Sequence, residues 1–315
     1  MAINVNNLPS YVEEHRLPLL RKAVIENKTA ALFNLQTGIK GATALNLLST
    51  EVTFGDGKSC GWNEAGTSTL SQRILTPGAI KINTSFCDKT LLSTWANYEV
   101  RVAAGQKTLP FEEDFLAGVV DGIKANLEKA MWAGDTTSQD ANLNKFNGIV
   151  KIGDNATTGI PAANVYAVQA GATATAIVNG LYNLIPAATF AKGEVVMYIS
   201  STTYRKYIQE LIANGNLVIT TGVNDVAMPD SILIPGTNVR VYGVDGLNGT
   251  GGAGKADRAY ASYKDNFIYG VDLQGDEEKM EMWYSQDNRE FRLAVEFIAG
   301  VQIAYPDMMV TAKES

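Results

Sequence analysis

The sequence predicts an α+β fold, and three stretches predict it: one long amphipathic helix, a hairpin-like segment before it, and a strand-rich C-terminal fifth. The helix is the clearest. Over Leu109 to Asp135, LPFEEDFLAGVVDGIKANLEKAMWAGD, Phe111, Phe115, Val119, Ile123 and Leu127 recur every fourth residue, and Leu116 and Val120 widen the stripe. Pro110 suits a first helical position. Glu112, Glu113 and Asp114 fill the first turn, where the helix dipole favours negative charge. Lys124 and Lys129 lie toward the other end, and Gly134 is placed to stop the helix. The spacing therefore predicts a helix over 110–133, about 36 Å long.

The N-terminal segment from Pro9 to about Ala31 is also expected to be helical, with Leu17, Leu20, Val24 and Leu32 toward one side. QTGIKGATALNLLST reads as a looser stretch. Strand-like TEVTF and STLSQRILTPGAIKINTSF then flank the glycine-rich FGDGKSCGWNEAG, which suggests a long hairpin. A two-stranded element is marginal in water by itself, and the neighbouring sequence offers it no evident partner.

Past the long helix, Asn147-Gly148-Ile149-Val150 reads as a short strand. Thr175 to Ile185 reads as a helix closed by Pro186. Glu194–Ile199 reads as a buried strand, and a helix over YRKYIQELIA is capped by Ser201 or Thr202 and stopped at Asn214-Gly215. Val239–Tyr242, NFIYGVDL, KMEMWYS and FRLAVEFIAGVQIAY supply further strands. The alternation from Phe291 to Phe297 marks a half-exposed antiparallel one.

Composition narrows the function. The chain has 315 residues, 46% of them hydrophobic, and a net charge of -7. That charge argues against a dedicated sequence-reading DNA binder, while local contact with nucleic acid stays open. No apolar run approaches the roughly 18 residues of a membrane span, and MAINVNNLPSYVEEH lacks a secretory layout. Cys60 and Cys87 read as free thiols. His15, the single histidine, reads as solvated beside Glu13 and Glu14, and no Cys/His grouping suggests zinc.

Gly249-Thr250-Gly251-Gly252-Ala253-Gly254-Lys255 fits GxxxxGK, the start of a phosphate-binding loop. The next residue should be Ser or Thr and is Ala256, and the sequence leads into a strand, so a surface loop is expected. The Asp276-Glu277-Glu278 cluster reads as a solvated turn. No residue is assigned a catalytic, cofactor-binding or metal-binding role, and no cofactor is expected.

The order of these elements, with the helix ending in WAGD, the NGIV turn and the strand leading into a Ser/Thr-capped helix, resembles the HK97-fold major capsid proteins of tailed bacteriophages. The resemblance spans nearly the whole chain. It implies an N-arm over 1–48, an extended E-loop hairpin over 49–90, and a peripheral domain over 91–171 with the spine helix 110–133. An axial domain over 172–258 and peripheral return strands over 259–315 complete it. It further implies a structural protein and not an enzyme. Such a protein self-assembles into the pentamers and hexamers of an icosahedral shell around double-stranded DNA, with non-specific DNA contact. Assembly in the host cytoplasm and residence in the virion follow, as do a portal partner, possible scaffold or decoration proteins, and no membrane.

Some members cross-link through a Lys–Asn bond promoted by a Glu. Lys58 and Lys81 lie in or near the E-loop, but no full triad is matched. The absence of a long scaffolding segment suggests a separate scaffold, a removed one, or scaffold-free assembly. An encapsulin-like nanocompartment shell is one alternative. A nucleotide-binding enzyme using residues 249–255 is another, and it would need a helix starting near Lys255.

Overall fold

The computed structural model describes residues 27–54, 66–87, 111–215, 231–272 and 279–314, together with 12, 19, 22–25 and 58. His15, Cys60, the side chain of Cys87 and the Asp276–Glu278 cluster lie outside the described residues.

The long helix, α1, spans Phe111–Ala133, about 34 Å. Leu116, Val120, Ile123, Leu127, Ala130 and Met131 are buried along it, while Val119 is half-buried, so the apolar stripe is rotated slightly from the every-fourth-residue ladder. Its end is built from two glycines. Gly148 N–H donates to Gly134 O at 2.9 Å, and a Cβ on either would collide with backbone of the opposite segment. WAGD and NGIV are thus two halves of one close backbone crossing. Asp135 anchors it further. Its pairing with Lys151 Nζ at 2.8 Å, aided by Thr137, lowers its pKa to about 2.

Residues 147–150 do not form the expected strand. Gly148 is the extended N-cap of a short helix, α2 (Ile149–Gly153), and Ile149 plugs into the core. The β-branched Ile-Val pair imitates a strand, but the Gly148–Gly134 contact fixes the chain direction. The N-terminal helix also ends earlier than expected. Lys22–Val24 are helical, but from Asn27 the chain turns, with Asn27 Oδ1 accepting Ala30 N–H at 2.6 Å.

The stretch read as loose contains two strands, β1 (Asn34–Thr37) and β2 (Thr43–Val52). β2 pairs antiparallel with β3 (Gly66–Leu75), and after Thr76-Pro77 the chain continues as β4 (Gly78–Cys87). The hairpin therefore runs from residue 43 to 75. Residues 78–87 instead pair antiparallel with Ala299 to Glu290 in a five-stranded sheet. The backbone of that sheet is the 14-residue β12 (Glu290–Ile303). β4 lies on one edge of β12. On the other, β10 (Phe267–Asp272) and β11 (Lys279–Ser285) follow one another, and β1 pairs parallel with β10. The expected alternation is present: Phe291, Leu293, Val295 and Phe297 are buried, and Arg292 and Glu296 face outward.

The second sheet has six strands. β5 (Val165–Val168), β6 (Val195–Ser200), β7 (Ser231–Leu233), β8 (Arg240–Val244), β9 (Ala259–Tyr263) and β13 (Val310–Glu314) lie in the order β5-β13-β9-β6-β8-β7. Three of these strands, β5, β9 and β13, come from outside residues 172–258. Every residue of β6 is buried because the sheet has a core on each face. Val196 and Tyr198 join α1 and the five-stranded sheet, while Val195, Met197 and Ile199 pack with helices α3 (Ala174–Leu184) and α5 (Ser201–Ala213). Between these helices lies the short α4 (Ala187–Lys192). The cap of α5 is Ser200, one residue earlier than expected, because β6 runs into the helix without a loop; its Oγ accepts Thr203 N–H at 3.1 Å.

Glu210 on α5 accepts the N–H groups of Ala174 at 3.0 Å and Thr175 at 2.7 Å, closing the start of α3. Desolvation pushes its pKa up, but the Thr175 and Ala174 donors and Lys206 outweigh that, and the net direction is down. A lowered folded-state pKa contributes stability above the unfolded value and loses it as pH falls through the folded value. Glu210→Ala is accordingly expected to cost about 1 kcal/mol near neutral pH, with the gap to wild type closing in acid. Urea midpoints across pH check this, and a gap that is constant with pH would count against it.

Candidate functional site: the hairpin face and its seat

The hairpin has two unlike faces. In register, Leu48 faces Leu70 and Ala44 faces Ile74, so these four share one side. Leu48, Leu70 and Ile74 are 60%, 67% and 60% exposed, and Phe54 just beyond β2 is 96% exposed. Leu45 and Leu47, on the opposite side, are buried with Ile39, Leu75, Ile268 and Ala304. The root of the hairpin thus has the intrachain partner that the sequence did not reveal, while its outward face has none among the described residues.

The seat is made by absence of side chains. Gly270 on β10 and Gly300 on β12 are register partners. A Cβ on Gly270 would lie 2.8 Å from Ile39 Cδ1 and 3.0 Å from Leu75, and one on Gly300 would lie 2.7 Å from Pro77 Cα. These glycines let the root settle onto the sheet. A polar clamp then sets its direction. Arg73 donates to Thr158 O at 2.9 Å and to Gln302 Oε1 at 3.4 Å, and Gln302 Nε2 donates to Ile74 O at 2.6 Å. The clamp and seat hold an apolar face out in water, an arrangement that costs apolar exposure unless something covers it.

The residues weighed for chemistry are scattered. Lys81 Nζ lies 2.8 Å from Glu296 Oε1, its register partner on β12. Lys58 is exposed beyond β2, far along the chain from that pair. The Glu112–Asp114 run starts α1. Among the described residues no group of three or more His, Cys, Asp or Glu side chains could hold a metal ion. No described helix is long and apolar enough to cross a membrane.

The glycine loop is folded against its own chain. Gly249 N–H donates to Asp257 Oδ1 at 2.7 Å and Ala256 N–H to Glu314 Oε2 at 2.6 Å. The absent Cβ of Gly251 leaves room for Ala256 O, and Gly249, Gly252 and Gly254 take positive φ. The next element is strand β9, not a helix. A phosphate cradle needs free amides aimed at the anion from a helix N-terminus; here two of those amides already serve carboxylates. Lys255→Ala is expected to leave thermal stability within about 0.5 kcal/mol of wild type. Calorimetry with ATP and GTP is expected to give no heat of binding, and micromolar binding lost in Lys255→Ala would reverse this reading.

No family profile matches the sequence, and no curated protein matches it. The fold is similar to that of several solved structures. A chain of the satellite phage P4 procapsid including the size determination (Sid) protein is 10% identical, with a TM-score of 0.62 over 95% of this chain and 90% of that one. A chain from Gordonia phage Cozz is 12% identical, with a TM-score of 0.54 over 90% and 85%. A virus-like particle from Pyrococcus furiosus gives 11% identity and 0.54 over 96% and 99%. The likeness is one of architecture across the whole length, and this chain has the HK97-like capsid fold.

Proposed function

We propose that this chain is the major capsid protein of a tailed bacteriophage, a structural protein that assembles with copies of itself into pentamers and hexamers of an icosahedral shell. The observation that carries the proposal is the outward hairpin face. Leu48, Leu70 and Ile74 are exposed on a hairpin anchored by the seat and clamp, with Phe54 exposed just beyond β2, and a neighbouring copy is the partner that a shell supplies. The shell encloses double-stranded DNA, touched non-specifically; the net charge of -7 suits a wall that contains DNA without gripping it. A portal completes the shell, with scaffold or decoration proteins as further partners, and assembly takes place in the host cytoplasm. The chain performs no catalysis in this role, and the folded-in glycine loop supports that. Two of the three similar structures described above come from phages, which favours a virion over a cellular nanocompartment.

Electron microscopy of the purified recombinant chain tests the proposal. Closed shells, tubes or capsomer rings are the expected result. Monomer alone, across salt and crowding conditions and with a scaffold supplied, would refute it.

A further inference from the structure

Three segments distant in sequence meet around one buried carboxyl group. Glu128 on α1 is 9% exposed. It accepts Asp245 N–H at 3.0 Å and also the N–H of Gly246, both in the turn that ends β8. It is hydrogen-bonded to the side chain of Thr29, and Thr29 Oγ1 accepts the Trp132 indole N–H at 3.0 Å. The turn reaches the helix through Gly246, where a Cβ would collide with Glu128 O and Trp132 Cδ1. The chain of bonds therefore runs from the N-terminal turn through α1 into the six-stranded sheet.

We propose that Glu128 is a proton-operated joint between α1 and the six-stranded sheet, with the Thr29 hydroxyl reversing its hydrogen bond as the carboxyl gains or loses a proton from solvent. A hydroxyl has one donor and two acceptor lone pairs. With Glu128 ionised, Thr29 donates to it and accepts from Trp132. With Glu128 neutral, the carboxyl O–H donates to Thr29 Oγ1, whose second lone pair still accepts the indole. In both states the carboxyl and the indole keep a partner, and in the neutral state the Thr29 hydroxyl hydrogen gives up the carboxylate that accepted it.

The balance is set by surroundings. Burial raises the Glu128 pKa, the Asp245 and Gly246 amides and Thr29 pull it down, the Asp245 charge pushes it up, and the net direction is up. On α1 itself, Lys124 is half-buried one turn earlier and Lys129 is exposed; beside Thr29, Lys28 is exposed; Asp245 is the charge that acts on the site. A raised folded-state pKa contributes stability below the unfolded value and loses it as pH rises through the folded value. Ionisation, in turn, gives the turn charge-assisted hydrogen bonds, the stronger kind. Rising pH thus trades subunit stability for a tighter joint.

The test uses the full unassembled chain, with Glu128→Gln and Thr29→Val beside wild type. pH-difference infrared spectra of wild type are expected to show a buried protonated carboxyl band that titrates above the ordinary Glu range, is missing in Glu128→Gln, and shifts to higher frequency in Thr29→Val, where the O–H loses its acceptor. In parallel, the ratio of wild-type to Glu128→Gln unfolding constants is expected to rise by at least about threefold from roughly pH 4 to pH 8. A spectrum without such a band overturns the proposal even if Glu128→Gln fails to fold. A ratio that stays flat with pH overturns it as well.

Discussion

Replacing Leu48 by Asp and Leu70 by Lys together is expected to leave a folded subunit that forms no shells. The two residues face one another across the hairpin and are 60% and 67% exposed. In the lone subunit both new charges sit in water, and their opposite signs preserve the cross-strand attraction; surface changes of this kind usually stay within about 0.5 kcal/mol. In the proposed shell a neighbour would cover the same positions. Each leucine then contributes about 1.5–3 kcal/mol of burial per contact, and the Asp–Lys pair that replaces them must be taken out of water, a cost that its mutual attraction does not repay. The loss repeats at every copy around the shell, so even its lower bound suppresses assembly. Sedimentation velocity and electron microscopy read assembly, and a melting curve reads the fold. Shells at wild-type yield would show that the hairpin face is not an assembly contact. A collapsed melting temperature would show that it is not free in the subunit.

The long helix and the C-terminal strands were legible because their information is local. The stripe on α1 and the alternation along β12 each report burial through spacing alone, and the structure follows both to within a residue or two. What was missed depends on contacts between distant residues. Thr43–Val52 mixes Asn, Ser and Thr with Leu, and it is a strand because Gly66–Leu75 pairs with it. Ile149-Val150 looks like strand and is helix because Gly148 is pinned to Gly134. The hairpin seemed to lack a partner because its seat is two glycines far along the chain from its root, where the missing side chains allow close approach. Gly270 and Gly300 had no periodic signal to betray them. Glu128 likewise reads as one more exposed charge on an amphipathic helix; only the arrival of Asp245–Gly246 and Thr29 makes it a buried hub. The glycine loop was legible through Ala256 and the strand after it, although the two carboxylates that occupy its amides were not.

Trp132→Ala is expected to be the most damaging single change in the described chain. The indole is fully buried. Its ring meets Phe33 at 5.4 Å, Tyr198 at 5.4 Å, Tyr260 at 5.9 Å and Phe267 at 6.3 Å, from the N-terminal turn, β6, β9 and β10. One side chain thereby joins α1 to both sheets. Truncation of a buried Trp costs about 3–5 kcal/mol through lost transfer energy and the cavity left behind. The hydrogen bond to Thr29 Oγ1 at 3.0 Å goes with it, adding about 1 kcal/mol. Set against a total of about 5–15 kcal/mol for a domain, this is enough to abolish soluble expression or to leave a subunit that unfolds at low denaturant. Trp132→Phe separates the two contributions. It keeps an aromatic ring among the four others and loses the N–H donor, so it is expected to cost about half as much. Urea unfolding of the two variants measures both. A Trp132→Ala subunit within about 1 kcal/mol of wild type would mean that the sheets are held together elsewhere, and that the aromatic cluster fills space without joining them.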